Sequence, residues 1–306
     1  MTEPATRAGF VAVVGAPNAG KSTLVNALVG SKVSIVSPKV QTTRMRVIGI
    51  AMAELPDDSR AQIVLVDTPG IFRTAKRRLE RAMIAAAWQG AEDADLVALV
   101  VDAERGVGPE TEAIVERLKE QQSSRFLVLS KIDLVPRERL LSLAADLNTR
   151  LPFEHTFMVS ALKRDGVQDV LQTLGLAMPR GPFLYPEDQA ADLPLRLLAA
   201  EVTREQVFVQ LHQELPYEAA VETDKWEERP DGSVRIEQTI HVQREGQRAI
   251  VLGKGGSRIK EIGARARSEL GHLLDKPVHL FLHVKVSERW ADDPAHYRAL
   301  GLDYEP

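Results

Sequence analysis

Residues 10–29 read FVAVVGAPNAGKSTLVNALV, an apolar run, a glycine-containing turn and a second apolar segment. The run Phe10–Val14 is typical of a buried strand, and Lys21–Val29 has the apolar spacing of a helix. The turn between them matches G-x-x-x-x-G-K-[ST], in which backbone N–H groups and the helix N-terminus surround a phosphate. A chance match is the alternative, and the strand–loop–helix order argues against it. The predicted phosphate-binding loop comprises Gly15, Ala16, Pro17, Asn18, Ala19, Gly20, Lys21, Ser22 and Thr23.

Two side chains of this loop have predicted roles toward a nucleotide. We expect Lys21 to reach the β- and γ-phosphates, because its ammonium group is a compact positive charge on a long stem. We expect the hydroxyl of Ser22 to be a ligand of Mg²⁺.

Short apolar runs alternate with helical stretches through the first half of the chain. Further strands are predicted at Arg46–Ala53, Gln62–Val66, Leu96–Val101, Phe126–Leu129 and His155–Val159. Helices are predicted at Lys76–Gln89, Pro109–Glu120, Arg137–Asn148 and Val167–Leu176. This alternation predicts an α/β fold with a mixed, mostly parallel sheet that is covered on both faces. One antiparallel pair is expected near residues 46–66.

A proline-rich stretch, MPRGPFLYPEDQAADLP at 178–194, has neither helical nor strand periodicity and is interpreted as a linker. It separates a first domain, 1–178, from a second domain, 195–306, with the linker at 179–194. The second domain has an α+β pattern, with helices at Leu195–Leu211 and Ser257–Leu274. Its strands are predicted at Ala219–Trp226, Val234–Val242 and Val278–Val286.

The composition excludes several classes of protein. The chain has 306 residues, 44% hydrophobic and 27% charged, which is ordinary for two globular domains. It has no cysteine, which excludes disulfides and cysteine-based zinc sites. No window of about 18 apolar residues and no signal-peptide pattern occur, so we expect a soluble, cytoplasmic protein. A net charge of −4 means that any surface for a polyanion must be local.

A short motif after the run Phe126–Leu129 predicts the base that is recognised. Asp133 of the sequence SKID can accept hydrogen bonds from the N1–H and the amino group of guanine, whereas adenine offers no such pair. The alternative is that Asp133 caps the following helix. The proposed base pocket comprises Ser130, Lys131, Asp133, Ser160, Ala161 and Leu162, and a backbone amide of the last three is expected to meet guanine O6.

The sequence DTPG at the end of another predicted strand indicates a loop that senses the γ-phosphate. Asp67 is expected to hold Mg²⁺ through water, and the amide of Gly70 is expected to meet the γ-phosphate. The alternative is an ordinary Pro–Gly turn. Thr42 or Thr43 should reach Mg²⁺, and the sequence does not decide between them. The predicted site on this side comprises Thr43, Asp67, Thr68, Pro69 and Gly70.

These motifs together resemble the Era family of bacterial ribosome-assembly GTPases. The similar segments are GAPNAGKSTLVNAL, VQTTR, VDTPG, SKID and SAL, and their order and spacing are those of translation-factor-like GTPases. The second half, with ELPYEAAVE, VQREGQRAIVLGKGGSRIKEIG and VHLFLHVKVSERWADD, is similar to the family's KH domain. The resemblance extends from about Gly9 to Tyr304.

The resemblance implies a GTPase that converts GTP to GDP and phosphate. Its partners would be the 3′ region of 16S ribosomal RNA and the 30S subunit, with GTP favouring the RNA complex and hydrolysis ending it. The resemblance leaves open a peripheral contact with the inner face of the membrane. Two other functions remain as alternatives: a regulatory RNA-binding protein that hardly hydrolyses its nucleotide, and an RNA-modifying GTPase.

Two positions bear on how this chain would bind and hydrolyse GTP. The family has Asn-Lys-x-Asp, and its Asn bridges the base and the phosphate-binding loop; Ser130 is shorter, so we expect it not to do both and expect fast nucleotide exchange. Ile71 stands where Ras-like enzymes have a water-orienting Gln. The resemblance implies that Asn18 instead binds K⁺ beside the phosphates, the alternative being that Asn18 braces the loop. Arg44, Arg46 and Arg73 are the other cationic candidates.

A GxxG loop in the second domain predicts RNA binding. In KH domains such a loop, here between a strand-like run and a helix, holds the backbone of a single strand. Six basic residues and one acidic residue, Glu261, lie in 248–267, although a solvated helix face remains the alternative. Apolar residues at helical spacing, Ile259 to Leu273, are expected to pack in the core. The predicted RNA-binding residues are Gly253, Lys254, Gly255, Gly256, Arg258 and Lys260.

Overall fold

The computed structural model describes residues 5–37, 43–45, 47–71, 77–211, 219–288, 290 and 293–305. The chain forms two compact units. The first comprises Met1–Ser34, Thr43–Asp192 and Leu300–Pro306, and the second comprises Ile35–Thr42 and Leu193–Ala299. The second domain predicted from the sequence therefore differs from the second unit, which includes a short segment from the first half and lacks the C-terminal residues.

A seven-stranded sheet forms the centre of the first unit. Its order is β6-β5-β4-β1-β3-β2-β7, and β2 and β7 are antiparallel to their neighbours. The strands are β1 (Thr6–Val14), β2 (Val47–Glu54), β3 (Arg60–Asp67), β4 (Leu96–Asp102), β5 (Ser124–Ser130), β6 (His155–Val159) and β7 (Ala191–Asp192). The helices are α1 (Lys21–Val29), α2 (Arg78–Glu92), α3 (Pro109–Lys119), α4 (Arg137–Arg150) and α5 (Val167–Ala177). The predicted α/β fold with a mixed, mostly parallel sheet is confirmed.

Burial on both faces of the sheet explains the continuous apolar runs. Val11 and Val13 of β1 belong to one buried cluster, and Ala12 and Val14 belong to the other. Successive side chains of a strand point to opposite faces, so a strand between two helical layers needs apolar residues at every position.

The carboxyl ends of the parallel strands form the edge at which the predicted nucleotide motifs meet. The phosphate-binding loop follows β1, Asp67 ends β3, Ser130 ends β5 and Ser160 follows β6. Open α/β sheets bind ligands at this edge because the connecting loops there converge around the strand ends.

The proline-rich stretch interpreted as a linker is tied to the first unit. The side chain of Gln62, fully buried in β3, accepts hydrogen bonds from the Leu184 and Tyr185 amides at 2.8 and 2.9 Å and donates to the Tyr185 carbonyl at 2.8 Å. Further on, Ala191–Asp192 adds a strand beside β2. The linker interpretation was wrong for this part, because a buried glutamine satisfies backbone groups that an irregular segment leaves unpaired.

The second unit packs helices on one face of a three-stranded sheet. Its elements are α6 (Leu195–Gln210), β8 (Ala220–Glu228), β9 (Val234–Val242), α7 (Glu245–Leu252), α8 (Ser257–Leu274), β10 (Val278–Val286) and α9 (Pro294–Ala299). The sheet order is β10-β9-β8, with β10 parallel to β9 and β8 antiparallel to it. Ile236 and Ile240 of β9 are buried against the helices. This is the predicted α+β pattern.

The strand-like run expected before the GxxG loop is a helix, α7. The side chain of Gln247 accepts hydrogen bonds from the amides of Gln243 and Arg244, at 2.8 and 3.1 Å, and so satisfies amides at the start of the helix. The apolar residues 249–252 do not distinguish a strand from a helix in so short a run, which is why the sequence prediction was wrong here. In the part of the chain that the structure describes, no helix is long and apolar enough to cross a membrane.

Candidate nucleotide site and RNA-binding loop

The phosphate-binding loop adopts a compact turn that ends on α1. Asn18 has φ 62° and Gly20, the residue before the helix, has φ 95°, both in the left-handed region. The DTPG loop lies against it, because a Cβ on Gly70 would be 2.8 Å from Cα of Pro17. The amide of Ile71 donates to the Gly15 carbonyl at 3.2 Å. The two loops predicted to contact phosphate are therefore in direct contact.

Lys21 is buried within this loop. Its Nζ donates to the carbonyls of Gly15 and Ala16 at 3.1 and 3.0 Å. Burial lowers the pKa of Lys21 to about 8, and the nearby Asp67 opposes this shift. The ammonium group is thus placed inside the turn, where a phosphate surrounded by the loop amides would lie.

A fully buried carboxylate, Asp67, joins three segments of the site. Its Oδ2 accepts hydrogen bonds from Ser22 Oγ at 2.6 Å and Ser34 Oγ at 2.7 Å. The hydroxyls of Ser22 and Thr43 lie 3.0 Å apart. Burial raises the pKa of Asp67, while Ser22 and Lys21 act in the opposite direction. Its Oδ1 is buried and has no hydrogen-bond partner among the described residues.

This donor set suits Mg²⁺. Hard divalent cations prefer oxygen ligands, and one carboxylate with two hydroxyls leaves room for phosphate and water oxygens. A cation would also compensate the buried oxygen of Asp67. Thr43 lies at this site, and Thr42 lies outside the described residues.

The sequence prediction missed Ser34 because no motif marks it. Asn26 of α1 holds the loop that carries Ser34: its Oδ1 accepts from the amides of Val33 and Ser34, each at 2.9 Å, and its Nδ2 donates to the Ser34 carbonyl at 2.7 Å. The polar Asn26 within the apolar stretch LVNALV of α1 was the available signal. Thr68 is placed differently from the prediction, since its fully buried hydroxyl donates to the Val13 carbonyl at 2.8 Å. The side chain of Thr68 supports the fold and does not face the site.

The base-side motif is also tied to the phosphate-binding loop. Ser130 Oγ lies 2.5 Å from the Ala19 carbonyl, and Lys131 Nζ donates to the Asn18 carbonyl at 2.8 Å. Lys131 Nζ also lies 2.6 Å from Oδ2 of Asp102, a buried residue at the end of β4 that the sequence analysis did not single out. Ser130 therefore contacts the phosphate-binding loop. This is one of the two contacts, to the base and to the loop, that we expected a serine not to make together.

Asp133 does not cap α4, and its carboxylate is held by Ser160. Ser160 Oγ donates to its Oδ1 at 2.7 Å, and the side chain is 17% exposed. This hydrogen bond is the main cause of a lowered pKa of Asp133, so the carboxylate is charged. The N-cap of α4 is Pro136, without a side-chain hydrogen bond. The Ser160 amide donates to the Asp165 carbonyl at 3.0 Å, which leaves the amides of Ala161 and the exposed Leu162 as candidates for guanine O6.

The GxxG loop of the second unit connects α7 to α8. Gly253, Gly255 and Gly256 have φ values of 69°, 60° and 76°, and Gly256 is the residue before α8. A Cβ on Gly253 would lie 2.7 Å from Cβ of Arg258, whereas one on Gly255 or Gly256 would meet nothing within 4 Å. Glycine is thus needed for packing at the first position and for backbone conformation at the others.

The residues around this loop separate into core and surface as predicted. Ile262, Ala266 and Leu270 of α8 are buried, while Lys254 and Lys260 are exposed. Two of the six basic residues are paired with acidic neighbours: Arg248 with Glu245 at 3.4 Å and Arg265 with Glu261 at 2.7 Å. Trp226 is partly buried against the core and Trp290 is buried, whereas His283 is exposed on β10.

Comparison with known proteins decides the family. Residues 10–131 match a family model described as 50S ribosome-binding GTPase, and residues 214–291 match a KH domain model. The chain is 59% identical over 300 residues to GTPase Era of Bradyrhizobium diazoefficiens, covering 98% of this chain and 96% of the relative. GTPase Era of Rhizobium meliloti is 58% identical over 299 residues, with 98% and 94% covered.

This chain belongs to the Era family of GTPases.

Two solved Era structures match the fold along almost the whole chain. Each has a TM-score of 0.90 and 39% identity, and covers 98% of this chain and 100% of the solved chain. One is Era in complex with MgGDPNP and nucleotides 1506–1542 of 16S ribosomal RNA. The other is a variant of Aquifex aeolicus Era bound to GDP and AlF4⁻. Membership of the Era family makes this chain a GTPase, as the resemblance implied.

Asp67 gives a prediction about pH and stability. Its raised pKa means that the folded chain holds this proton more tightly than the unfolded chain. Stability therefore falls as pH rises above the ordinary aspartate range, and Asp67→Asn removes that loss. In chemical denaturation without nucleotide or Mg²⁺, we expect the variant to be more stable than the wild type at pH 8, with the difference shrinking toward pH 4.

Asp133→Asn is the matched control, because the pKa of Asp133 is shifted the other way. That carboxylate contributes stability above the ordinary aspartate range, so its replacement should give no gain at pH 8. An Asp67→Asn variant that is no more stable than the wild type at pH 8 would contradict the interpretation of Asp67 as a buried, uncompensated charge.

Proposed function

We propose that this GTPase binds single-stranded RNA near the 3′ end of 16S ribosomal RNA and assists assembly of the 30S subunit. GTP binding favours the RNA complex, and hydrolysis to GDP and phosphate ends it. The chain combines the two parts that this function needs, a nucleotide site in the first unit and a GxxG loop in the second.

One observation carries the proposal: a solved Era that matches 98% of this chain is bound to both MgGDPNP and 16S ribosomal RNA. The family model that matches the first unit is described as a 50S ribosome-binding GTPase, yet it matches only residues 10–131. The similarity to the RNA-bound relative extends over the KH domain as well, so this relative is the better guide to the ribosomal subunit.

The test is to sequence RNA that is crosslinked to the GTP-bound protein in cells. We expect the reads to concentrate at the 3′ end of 16S ribosomal RNA. Reads that concentrate on 23S ribosomal RNA, or on no ribosomal RNA, would contradict the proposal.

We assign the phosphate side of the site to residues that lie close together. Lys21 would hold the β- and γ-phosphates, and the Gly70 amide would meet the γ-phosphate. Ser22 and Thr43 would bind Mg²⁺ directly and Asp67 through water, which agrees with their mutual distances of 2.6 and 3.0 Å. When bound, the cation neutralises charge that develops on the phosphates.

We assign guanine recognition to Asp133, with the Ala161 amide on O6. An Asp133→Asn variant should lose guanine affinity by about 100-fold, because the acceptor loses its charge and the Asn NH₂ group faces the guanine amino group, donor against donor. It should bind xanthine nucleotides instead, because the amide can donate to the xanthine O2 carbonyl. Competition binding with GTP, XTP and ATP measures this. Equal affinity of the wild type for ATP and GTP would refute the assignment.

We assign RNA binding to the GxxG loop, with Lys254, Arg258 and Lys260 beside it. Replacing Gly255 and Gly256 by Asp puts negative charge against the RNA phosphates, so RNA affinity should fall by at least about tenfold. GTP affinity should not change. Both substitutions have open space around the new Cβ but strain the backbone at positive φ, so the experiment needs a control with the same strain.

Gly232→Asp is the control for this experiment. Gly232 lies in the turn between β8 and β9, has φ 82° and also has open space around it. It therefore matches the charge and the backbone strain of each single loop substitution, Gly255→Asp or Gly256→Asp. If the loop variants bind a 16S 3′-end oligonucleotide as tightly as Gly232→Asp does, the GxxG assignment is wrong.

We assign the missing catalytic charge to K⁺ bound by Asn18. Ile71 is buried in the core and its amide is bonded to Gly15, so it does not orient water. Arg44 is buried as well, and Arg46 and Arg73 lie outside the described residues. Positive charge near the β- and γ-phosphates stabilises the transition state, and Asn18 lies in the loop that surrounds them.

The K⁺ assignment predicts a salt-specific rate. Single-turnover hydrolysis by the wild type should be at least about tenfold faster in KCl than in NaCl at equal ionic strength, because a preorganised charge is worth this much or more. Asn18→Ala should lose the advantage. Equal wild-type rates in both salts would contradict the assignment and would direct attention to RNA as the source of the catalytic group.

The cytoplasmic location and the contact with the inner membrane face stay predictions.

A further inference from the structure

A short segment from the first half of the chain belongs to the second unit. This segment, Ile35–Thr42, follows α1, and the residues on either side of it lie at the proposed Mg²⁺ site. On one side, Ser34 Oγ donates to Asp67 Oδ2 at 2.7 Å. On the other side, Thr43 Oγ1 lies 3.0 Å from Ser22 Oγ. The segment therefore begins and ends beside the residues that would hold the cation.

The described part of this segment is bonded to Glu205 of α6. The amide of Val36 donates to Oε1 of Glu205 at 2.7 Å, and Glu205 is buried. A hydrogen bond to a carboxylate that is shielded from water is stronger than an ordinary amide–carbonyl bond. Only Ile35 separates Val36 from Ser34, so even an extended chain places these two residues within about 7 Å of each other. A movement of Ser34 is therefore passed directly to the bond with Glu205.

From Glu205, the helix α6 leads to the proposed RNA-binding loop. Val209 lies one turn after Glu205 on the same face of the helix, and it lines a cavity together with Arg258. Gln206 Nε2 donates to Oε2 of Glu269 in α8 at 3.2 Å. Because α8 begins directly after the GxxG loop, α6 contacts the helix that positions this loop.

We propose that the hydrogen bond from the Val36 amide to Glu205 couples the nucleotide site to RNA binding, with Glu205 as a positioning residue of α6. With GTP, Thr43 holds the end of the segment at the cation, and the bond to Glu205 is made. Hydrolysis releases a segment of this kind, because its contacts with Mg²⁺ and the γ-phosphate are lost. The bond to Glu205 is then broken, and α6 no longer favours the RNA-binding arrangement of the loop. The proposal rests on the control of RNA binding by GTP that is proposed above, and it names the contact that carries this control.

The test is the affinity of the full-length protein for a 16S 3′-end oligonucleotide, with MgGDPNP and with MgGDP, at one fixed salt concentration. The wild type should bind more tightly with MgGDPNP, by about fivefold or more. Val36→Pro removes the N–H group, so its affinity with MgGDPNP should fall to within about twofold of its affinity with MgGDP. Its affinity with MgGDP should equal that of the wild type, because the bond is already absent in that state.

Val36→Ala is the matched control for this variant. It keeps the N–H group, and the side chain that it shortens belongs to a residue that is 39% exposed, so the preference for MgGDPNP should remain.

Variants of Glu205 test the acceptor of the same bond. Glu205→Ala should lose the preference as Val36→Pro does, whereas Glu205→Gln keeps an acceptor oxygen and should retain it. The double variant Val36→Pro/Glu205→Ala should lose no more than either single variant, since both substitutions remove one and the same bond.

A Val36→Pro or Glu205→Ala variant that keeps the wild-type preference would overturn the proposal. An equal loss of RNA affinity in both nucleotide states would overturn it too, because the residue would then only support the fold of the second unit. The same holds for a loss of the preference in Val36→Ala or in Glu205→Gln, because the bond itself would then not be the cause.

The wild type distinguishes failure of this contact from failure of the proposed function. Equal affinities of the wild type in the two nucleotide states would refute the control of RNA binding by GTP, and this contact with it. A preference that the wild type and all variants share would refute only the role of Val36 and Glu205.

Discussion

The organisation of the nucleotide site depends on one buried carboxylate, Asp67. It ends the strand β3 and accepts hydrogen bonds from hydroxyls of α1 and of the loop after it, while Thr43 adjoins the same group. A buried charge is costly unless it is paired, and one of its oxygens has no partner among the described residues. A divalent cation is the natural compensation. These hydrogen bonds hold the site together, while the second oxygen of Asp67 would gain a partner from a bound cation.

The carbonyl groups of the phosphate-binding loop connect this carboxylate to the base pocket. Lys21 bonds the carbonyls of Gly15 and Ala16 from inside the turn. Lys131 and Ser130 bond those of Asn18 and Ala19 from the base side. This short turn accepts hydrogen bonds from Lys21 on the phosphate side and from Ser130 and Lys131 on the base side. It therefore connects the base motif to the residues that would surround the phosphates.

The sequence predicted the fold and the motifs well where a pattern has one physical meaning. The strands His155–Val159 and Val234–Val242 have the predicted bounds because continuous or alternating apolar residues define them. The helix α7 was missed because a short apolar run fits either structure. The interpretation of the proline-rich stretch failed because the buried Gln62, on which its backbone depends, lies more than a hundred residues away.

The sequence analysis missed some site residues for a similar reason. Ser34 and Asp102 carry no motif and are recruited by the fold, the first by Asn26 and the second by Lys131. Thr68 lies inside a motif, yet its hydroxyl is turned into the core. Motifs identify the backbone that meets a ligand, whereas the direction of each side chain depends on packing with distant segments.

We propose that the nucleotide state of the first unit controls RNA binding by the second. The most direct measurement is the affinity of the full-length protein for a 16S 3′-end oligonucleotide, with MgGDPNP and with MgGDP, at one fixed salt concentration. We expect tighter binding with MgGDPNP, by about fivefold or more, the lower end of ordinary coupling between two sites. Equal affinity in the two nucleotide states would contradict it.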